Sequence, residues 1–241
     1  MKDFQAFLDR VNNQRKRLGI SEHPAWYRGH QQQTYKLLPG LLRHRNGVKH
    51  ERNLFAVFRS EGAGHIPETH GDLETLALMQ HFGAPTRLLD WTNSLHTALF
   101  FAVMSSLSWK VEHPCIWILN PFRLNYQSTG QKVIYDRDDR LQLNYYEAAK
   151  IQAWPFQLPV AIAAPWRNAR VQAQQGYFTL HGSDLRPIEE SAPECVKRID
   201  IPQHLVREII KVLEASSTNS FVLFPDLGGL AQKLRRQFKL F

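Results

Sequence analysis

The stretch from Thr86 to Met104 constrains the fold of this chain more than any other. It begins as a short apolar strand, Arg87-Leu88-Leu89-Asp90-Trp91, passes through Thr92-Asn93-Ser94 and continues as an apolar helix. A strand and a helix that are both apolar have to be buried against other elements, and Thr92, Asn93 or Ser94 can supply the N-cap between them. Arg87 and Asp90 are costly inside such a strand unless each is paired or faces a cleft.

The neighbouring segments point to a mixed α/β architecture. Helical spacing of Phe4, Phe7, Leu8 and Val11 predicts a short amphipathic helix over 3–17, and Ala25-Trp26-Tyr27-Arg28-Gly29 after Pro24 reads as a strand. Helices are expected over 49–60 and 72–81, the second stopped by Gly83 and Pro85. Cys115–Leu119 between two prolines is a buried strand, and further strands are expected at Arg170–Gln174, Tyr177–Leu180 and Val196–Ile201. A helix follows at Gln203–Glu214, and the tail places Leu227, Leu230, Leu234 and Phe238 at helical spacing, with Lys233, Arg235, Arg236 and Lys239 near its end. The polar stretch 124–152 yields no assignment. A length of 241 residues suits one sizeable core, so a single domain spanning 1–241 is expected.

Composition removes some function classes. With 43% apolar and 22% charged residues the chain is neither disordered nor membrane-like. It has no run of about 18 apolar residues and no signal-peptide layout at Met1-Lys2-Asp3-Phe4-Gln5, so no membrane partner and a cytoplasmic location are expected. Cys115 and Cys195 form no CxxC pair and are expected as packing thiols. The balance of 30 Lys and Arg against 22 Asp and Glu, net +8, makes a polyanion such as nucleic acid a candidate partner, with plain solubility as the alternative. There is no phosphate-binding glycine loop, GxGxxG, HExxH or GxSxG, and the eleven histidines show no ligand spacing, so no metal is expected.

Three polar clusters remain inside or beside the apolar strands: Tyr27-Arg28-Gly29-His30, Arg87 to Ser94, and Gln172 to Phe178. Arg28 offers a planar fork to a phosphate or carboxylate, and Gly29 lets the backbone come close to a ligand. A buried Arg28–Asp90 ion pair that fixes the fold is the competing explanation. For Trp91 and Tyr177 the competing explanation is core packing, and Asp226 ahead of Leu227 reads as a helix cap.

Trp26-Tyr27-Arg28-Gly29, Gln80-His81-Phe82-Gly83-Ala84-Pro85-Thr86-Arg87-Leu88-Leu89-Asp90-Trp91-Thr92, Gln174-Gln175-Gly176-Tyr177-Phe178 and Phe224-Pro225-Asp226-Leu227 resemble, in order, the signature segments of the FRG-domain family, over about 26–230. The order also resembles the ADP-ribosyltransferase fold, in which a strand arginine, a Ser-Thr-Ser strand and a glutamate-bearing strand line an NAD cleft. That resemblance implies a split, mostly antiparallel sheet flanked by helices. Arg28 stands at the first motif and Thr92 is the hydroxyl retained at the second, while Gln174 or Gln175 replaces the glutamate.

The function implied is transfer of ADP-ribose from NAD to a macromolecule, as in a bacterial toxin or anti-phage effector, which would bring an antitoxin or other neutralising protein as a partner. Arg28, Thr92 and Gln175 are the expected catalytic residues. Arg28, Gly29, Asp90, Trp91 and Tyr177 are the expected NAD-binding ones, and Glu189, Glu190, Glu194 or Asp90 could replace the missing carboxylate. The alternatives are a catalytically silent nucleotide or nucleic-acid binding module, and hydrolysis of NAD without an acceptor.

Overall fold

The computed structural model of the chain describes residues 2–21, 23–104, 113–136, 141, 143–163 and 169–240. Six strands form one sheet: β1 (Trp26–His30), β2 (Leu88–Thr92), β3 (Cys115–Leu119), β4 (Val160–Ala163), β5 (Gly176–Leu180) and β6 (Val196–Asp200). Their order is β4-β5-β2-β1-β3-β6, and every neighbouring pair is antiparallel. The mixed α/β class and the antiparallel sheet flanked by helices are those the sequence leads one to expect.

Strand alternation sends successive side chains to different cores. Tyr27, Ile116, Ile118 and Ile199 pack beneath the helices Lys2–Arg17, Leu95–Val103 and Val206–Ala215, which contribute Phe7, Val11, Leu99, Ile209 and Leu213. Trp26, Leu89, Trp91, Trp117 and Leu119 form a second core with Leu124 of the helix Pro121–Thr129. At the β4–β5 end, Val160, Ile162, Phe178 and Leu180 meet Phe55, Leu76 and Tyr145 from the helices Gly47–Glu61, Asp72–His81 and Tyr145–Ile151.

Residues 170–174 differ from expectation. The structure has a short helix, Ala169–Ala173, in place of a strand. Gln175 then takes a left-handed conformation, φ 48°, and its N–H bonds the Gln172 carbonyl at 3.0 Å, turning the chain into β5. Five residues of mixed polarity fit one helical turn as well as a strand. The stretch 124–152 contains the end of Pro121–Thr129 and all of Tyr145–Ile151, capped by Asn120 and Asn144, whose side chains accept from the N–H of Arg123 and Glu147. Residues 137–140 and 142 of that stretch lie outside the described residues.

One junction of the sheet is open. The other neighbours run in register over four or five residue pairs, whereas β1 and β2 meet at Tyr27 opposite Thr92 and then part. Ser94 accepts from the Thr97 N–H at 3.2 Å and starts the helix Leu95–Val103 directly after β2. That helix is seated on Gly29 of β1, where a Cβ would overlap the Ala98 carbonyl oxygen and lie 2.7 Å from the Ala102 nitrogen. The bare face of Gly29 therefore receives a helix backbone.

Candidate functional site

A cleft of about 180 Å³ lies where β1 and β2 part. Tyr27, Arg28 and Gly29 form its β1 wall, and Asp90, Trp91 and Thr92 its β2 wall. Gln80, Thr97 and Phe101 come from the two flanking helices, and Arg170 and Gln174 from the segment ahead of β5.

Arg28 bridges the gap. Its Nη1 donates to the Asp90 main-chain oxygen at 2.6 Å and lies 3.6 Å from Asp90 Oδ2, while its Nε donates to His30 Nε2 at 3.1 Å. Burial pushes the Arg28 pKa down from its ordinary value, Asp90 opposes that shift, and Arg43 adds to it. Burial, then the charges of Arg28 and Arg43, hold His30 at about 3, so its imidazole is neutral and able to accept from Arg28.

The ion pair is not the buried strut considered above, because the Asp90 side chain is 55% exposed against 20% for Arg28. Asp90 Oδ2 also accepts from Gln80 Nε2 at 3.0 Å, and Gln80 Oε1 accepts from the Thr86 hydroxyl at 2.7 Å. Thr92 donates to the Gln174 carbonyl at 2.7 Å and accepts from the Ser94 N–H at 3.0 Å. Its hydroxyl keeps one lone pair for a ligand.

The structure thus brings Arg28, Gly29, Asp90, Trp91 and Thr92 to one cleft. Trp91 is chiefly a core residue, its indole N–H donating to Thr179 Oγ1 at 3.1 Å. Tyr177 stacks on Trp26 with ring centroids 4.5 Å apart and is not among the lining residues. Nor is Gln175, which is exposed in its left-handed turn. Gln174 lines the cleft instead and donates from Nε2 to the Leu223 carbonyl at 3.0 Å.

Of the carboxylates considered, Glu189 accepts from the Leu37 N–H at 3.1 Å and Glu190 pairs with Lys36 at 3.0 Å. Neither they nor Glu194 line the cleft, which leaves Asp90 as its carboxylate among the described residues. Among the same residues no three His, Cys, Asp or Glu side chains converge as a metal site.

Sequence reasoning missed Gln80, Thr97, Phe101 and Arg170. Gln80 opens the long signature-like segment, whereas Arg170 gave no signal once its segment read as a strand. Arg170 lies 4.5 Å from the ring centroid of Phe224, whose ring also meets Phe101 edge-on at 6.0 Å. Phe224 thereby backs the outer wall, while Asp226 accepts from the Gly229 N–H at 2.7 Å and caps the helix Leu227–Gln237.

Arg87 lies outside the cleft. Fully buried, it donates to Glu51 Oε1 at 2.5 Å, the Gly182 carbonyl at 2.7 Å and Gln152 Oε1 at 3.2 Å, and lies 4.3 Å from the Trp154 ring centroid. The Tyr145 hydroxyl donates to the same Glu51 oxygen at 2.6 Å.

No curated protein and no solved structure matches the chain. Residues 23–110 match the family model of the FRG domain. That stretch contains β1, β2 and the helices that supply Gln80, Thr97 and Phe101, while Arg170, Gln174 and Phe224 lie beyond it. Both strands of the parted junction, and with them the two walls of the cleft, lie inside the stretch that is similar to the FRG domain.

Proposed function

We propose that the cleft takes one end of NAD and that the protein transfers ADP-ribose to a macromolecular acceptor. The observation that carries this reading is the desolvated Arg28 guanidinium beside the exposed Asp90 carboxylate, across parted strands. An anion would relieve the cost that burial imposes on Arg28, and a guanidinium binds phosphate through paired donors. A volume near 180 Å³ is below the ~300–1,000 Å³ of pockets that enclose a whole ligand. The cleft therefore receives the nicotinamide ribose and its phosphate, with the adenosine outside.

Transfer breaks the bond between ribose C1′ and the nicotinamide nitrogen, and the bonding pair leaves with nicotinamide. An acceptor oxygen or nitrogen bonds C1′ and releases its proton. Asp90 is the carboxylate placed to stabilise the cationic ribose, Thr92 accepts from a ribose hydroxyl, and Gln174 orients the acceptor. The net charge of +8 makes nucleic acid the acceptor class to try first.

A silent binding module is the second reading, favoured because no glutamate lines the cleft among the described residues. The test incubates purified protein with radiolabelled NAD and, separately, RNA, DNA and cell protein, with Arg28→Ala alongside. Label on one pool that the variant loses establishes the transferase and its acceptor class, and free ADP-ribose alone indicates a hydrolase. No label and no nicotinamide release leaves the binding module.

A further inference from the structure

Arg28 shares the cleft with a second guanidinium. The charged residues that line it are Arg28, Asp90 and Arg170, so one carboxylate stands with two cations among the described residues. Arg170 belongs to the short helix Ala169–Ala173, and the wall that carries it is firmly held. The Gln174 N–H donates to the Arg170 carbonyl at 3.0 Å, which puts these two lining residues one helical turn apart on one face. Adjacent residues of another segment hold both side chains. The Arg170 guanidinium lies 4.5 Å from the Phe224 ring centroid, and Gln174 Nε2 donates to the Leu223 carbonyl at 3.0 Å. That segment is fixed in turn: Asn219 caps the helix Ser220–Leu223, Asp226 caps Leu227–Gln237, and a Cβ on Gly229 would overlap the Phe224 carbonyl oxygen. The Phe224 ring also meets Phe101, another lining residue, edge-on at 6.0 Å. An aromatic ring attracts a guanidinium through its π-face and, unlike the Asp90 carboxylate beside Arg28, brings no negative charge to the wall.

We infer that Arg170 is a second anion-binding residue of the cleft, so that the ligand is a diphosphate with one phosphate at Arg28 and the other at Arg170. A guanidinium meets phosphate oxygens with paired N–H donors, and two of them bordering one small cleft suit a ligand with a negative charge on each of two neighbouring phosphates. The two phosphates of a diphosphate share a bridging oxygen. A ligand that brings the first to Arg28 therefore brings the second within a few bonds of it, at the border of a cleft of about 180 Å³. A monophosphate leaves one of the two guanidinium groups without its anion. The inference rests on the NAD reading for the identity of the diphosphate and not for the second anion site; a nucleoside diphosphate is the other source of the same chemistry.

The experiment titrates wild type, Arg170→Gln and Arg170→Lys with AMP, ADP and ADP-ribose, which share adenosine and carry one phosphate, two, or two with a further ribose. Wild type is expected to bind at least one diphosphate about tenfold or more tighter than AMP, the scale of one charge-assisted hydrogen bond. Arg170→Gln should lose that preference, and Arg170→Lys, which keeps the charge, should lose only part of it. The preference is a ratio of two affinities on one protein, so a variant that merely loosens the cleft lowers both and leaves the ratio in place. AMP bound by wild type as tightly as both diphosphates, or a preference that survives in Arg170→Gln, overturns the inference. ADP-ribose binding with that surviving preference leaves the NAD reading standing. A wild type that binds ADP and not ADP-ribose, with the preference lost in Arg170→Gln, keeps the second phosphate site and removes the NAD reading. A wild type that binds none of the three overturns both.

Discussion

Arg28 donates from Nη1 to the main-chain oxygen of Asp90 at 2.6 Å, at the place where β1 and β2 have stopped pairing. A side chain has replaced a ladder bond, and the guanidinium is aimed by a second donor, Nε, that His30 accepts. Arg28→Lys keeps the charge but cannot make both bonds. We expect Arg28→Lys and Arg28→Ala each to lose at least tenfold in ADP-ribose affinity. Arg28→Ala should also lose about 1–3 kcal/mol of stability, because the Asp90 carbonyl is left without its donor. Calorimetric titration and urea unfolding measure the two effects, and a Lys variant that binds like wild type would sink the paired-donor assignment.

Gly29, a lining residue of the cleft, also holds the helix Leu95–Val103 against the sheet. In Gly29→Ala the new Cβ meets the Ala98 carbonyl oxygen and the Ala102 nitrogen, backbone atoms that move only if the whole helix moves. Overpacking of this kind costs about 1–3 kcal/mol and occasionally more, and the upper end is expected here. The urea midpoint should fall accordingly, and an unchanged midpoint would show that the helix has room to shift.

How much of this was legible in the sequence differs from residue to residue. Leu88 to Met104 announced itself because strand and helix were both apolar and polar caps stood between them. Arg28 and Asp90 were legible as polar groups in apolar strands, but their separation from Arg87 was not. All three look equally costly in a strand, and only the fold shows Arg87 tied to Glu51 while Arg28 and Asp90 border a cleft. The segment before β5 misled because one turn of helix and five residues of strand share a polarity pattern. Tyr177 and Trp26 are remote in sequence, and nothing local in either could announce that they stack.

Gln174 and Gln175 separate cleanly by mutation. Gln175 is held at φ 48° and is exposed, a conformation that costs a residue with a Cβ about 1–2 kcal/mol and glycine almost nothing. Gln175→Gly should raise the urea midpoint slightly and leave ligand binding unchanged. Gln174→Ala removes the donor to the Leu223 carbonyl and a lining side chain, so binding should weaken. The reverse ranking would return Gln175 to the site.

Arg87 and Glu51 should govern stability and not ligand affinity. Removing one partner of a buried pair costs about 3–5 kcal/mol, since the other charge stays buried. Without Arg87, Glu51 keeps as a donor the Tyr145 hydroxyl, whose own pKa burial pushes well above its ordinary value, with Glu51 adding to the shift. Arg87→Met is expected to lower stability by about that amount, while its folded fraction binds ADP-ribose as wild type does. Altered affinity in well-folded Arg87→Met would tie the two sites together.

His181 makes stability depend on pH. It is fully buried, and burial, reinforced by the charge of Arg87 and opposed by a hydrogen bond with the Arg186 backbone and by Asp184, holds its pKa at about 3. His30 is held at about the same value. In the unfolded chain both titrate near 6.5. Above about pH 6.5 both are neutral in either state and their contribution is complete. As pH falls from there toward 3, the unfolded chain takes up protons that the folded protein refuses, so stability declines with a limiting slope of about 1.4 kcal/mol per pH unit for each histidine. His81, whose pKa burial also lowers, adds to the slope, so His181→Leu should reduce the slope between pH 6 and about 5, where ordinary carboxylates are still mostly ionised, without abolishing it. Urea unfolding at a series of pH values measures it. Equal slopes in wild type and variant would mean that His181 is protonated in the folded protein.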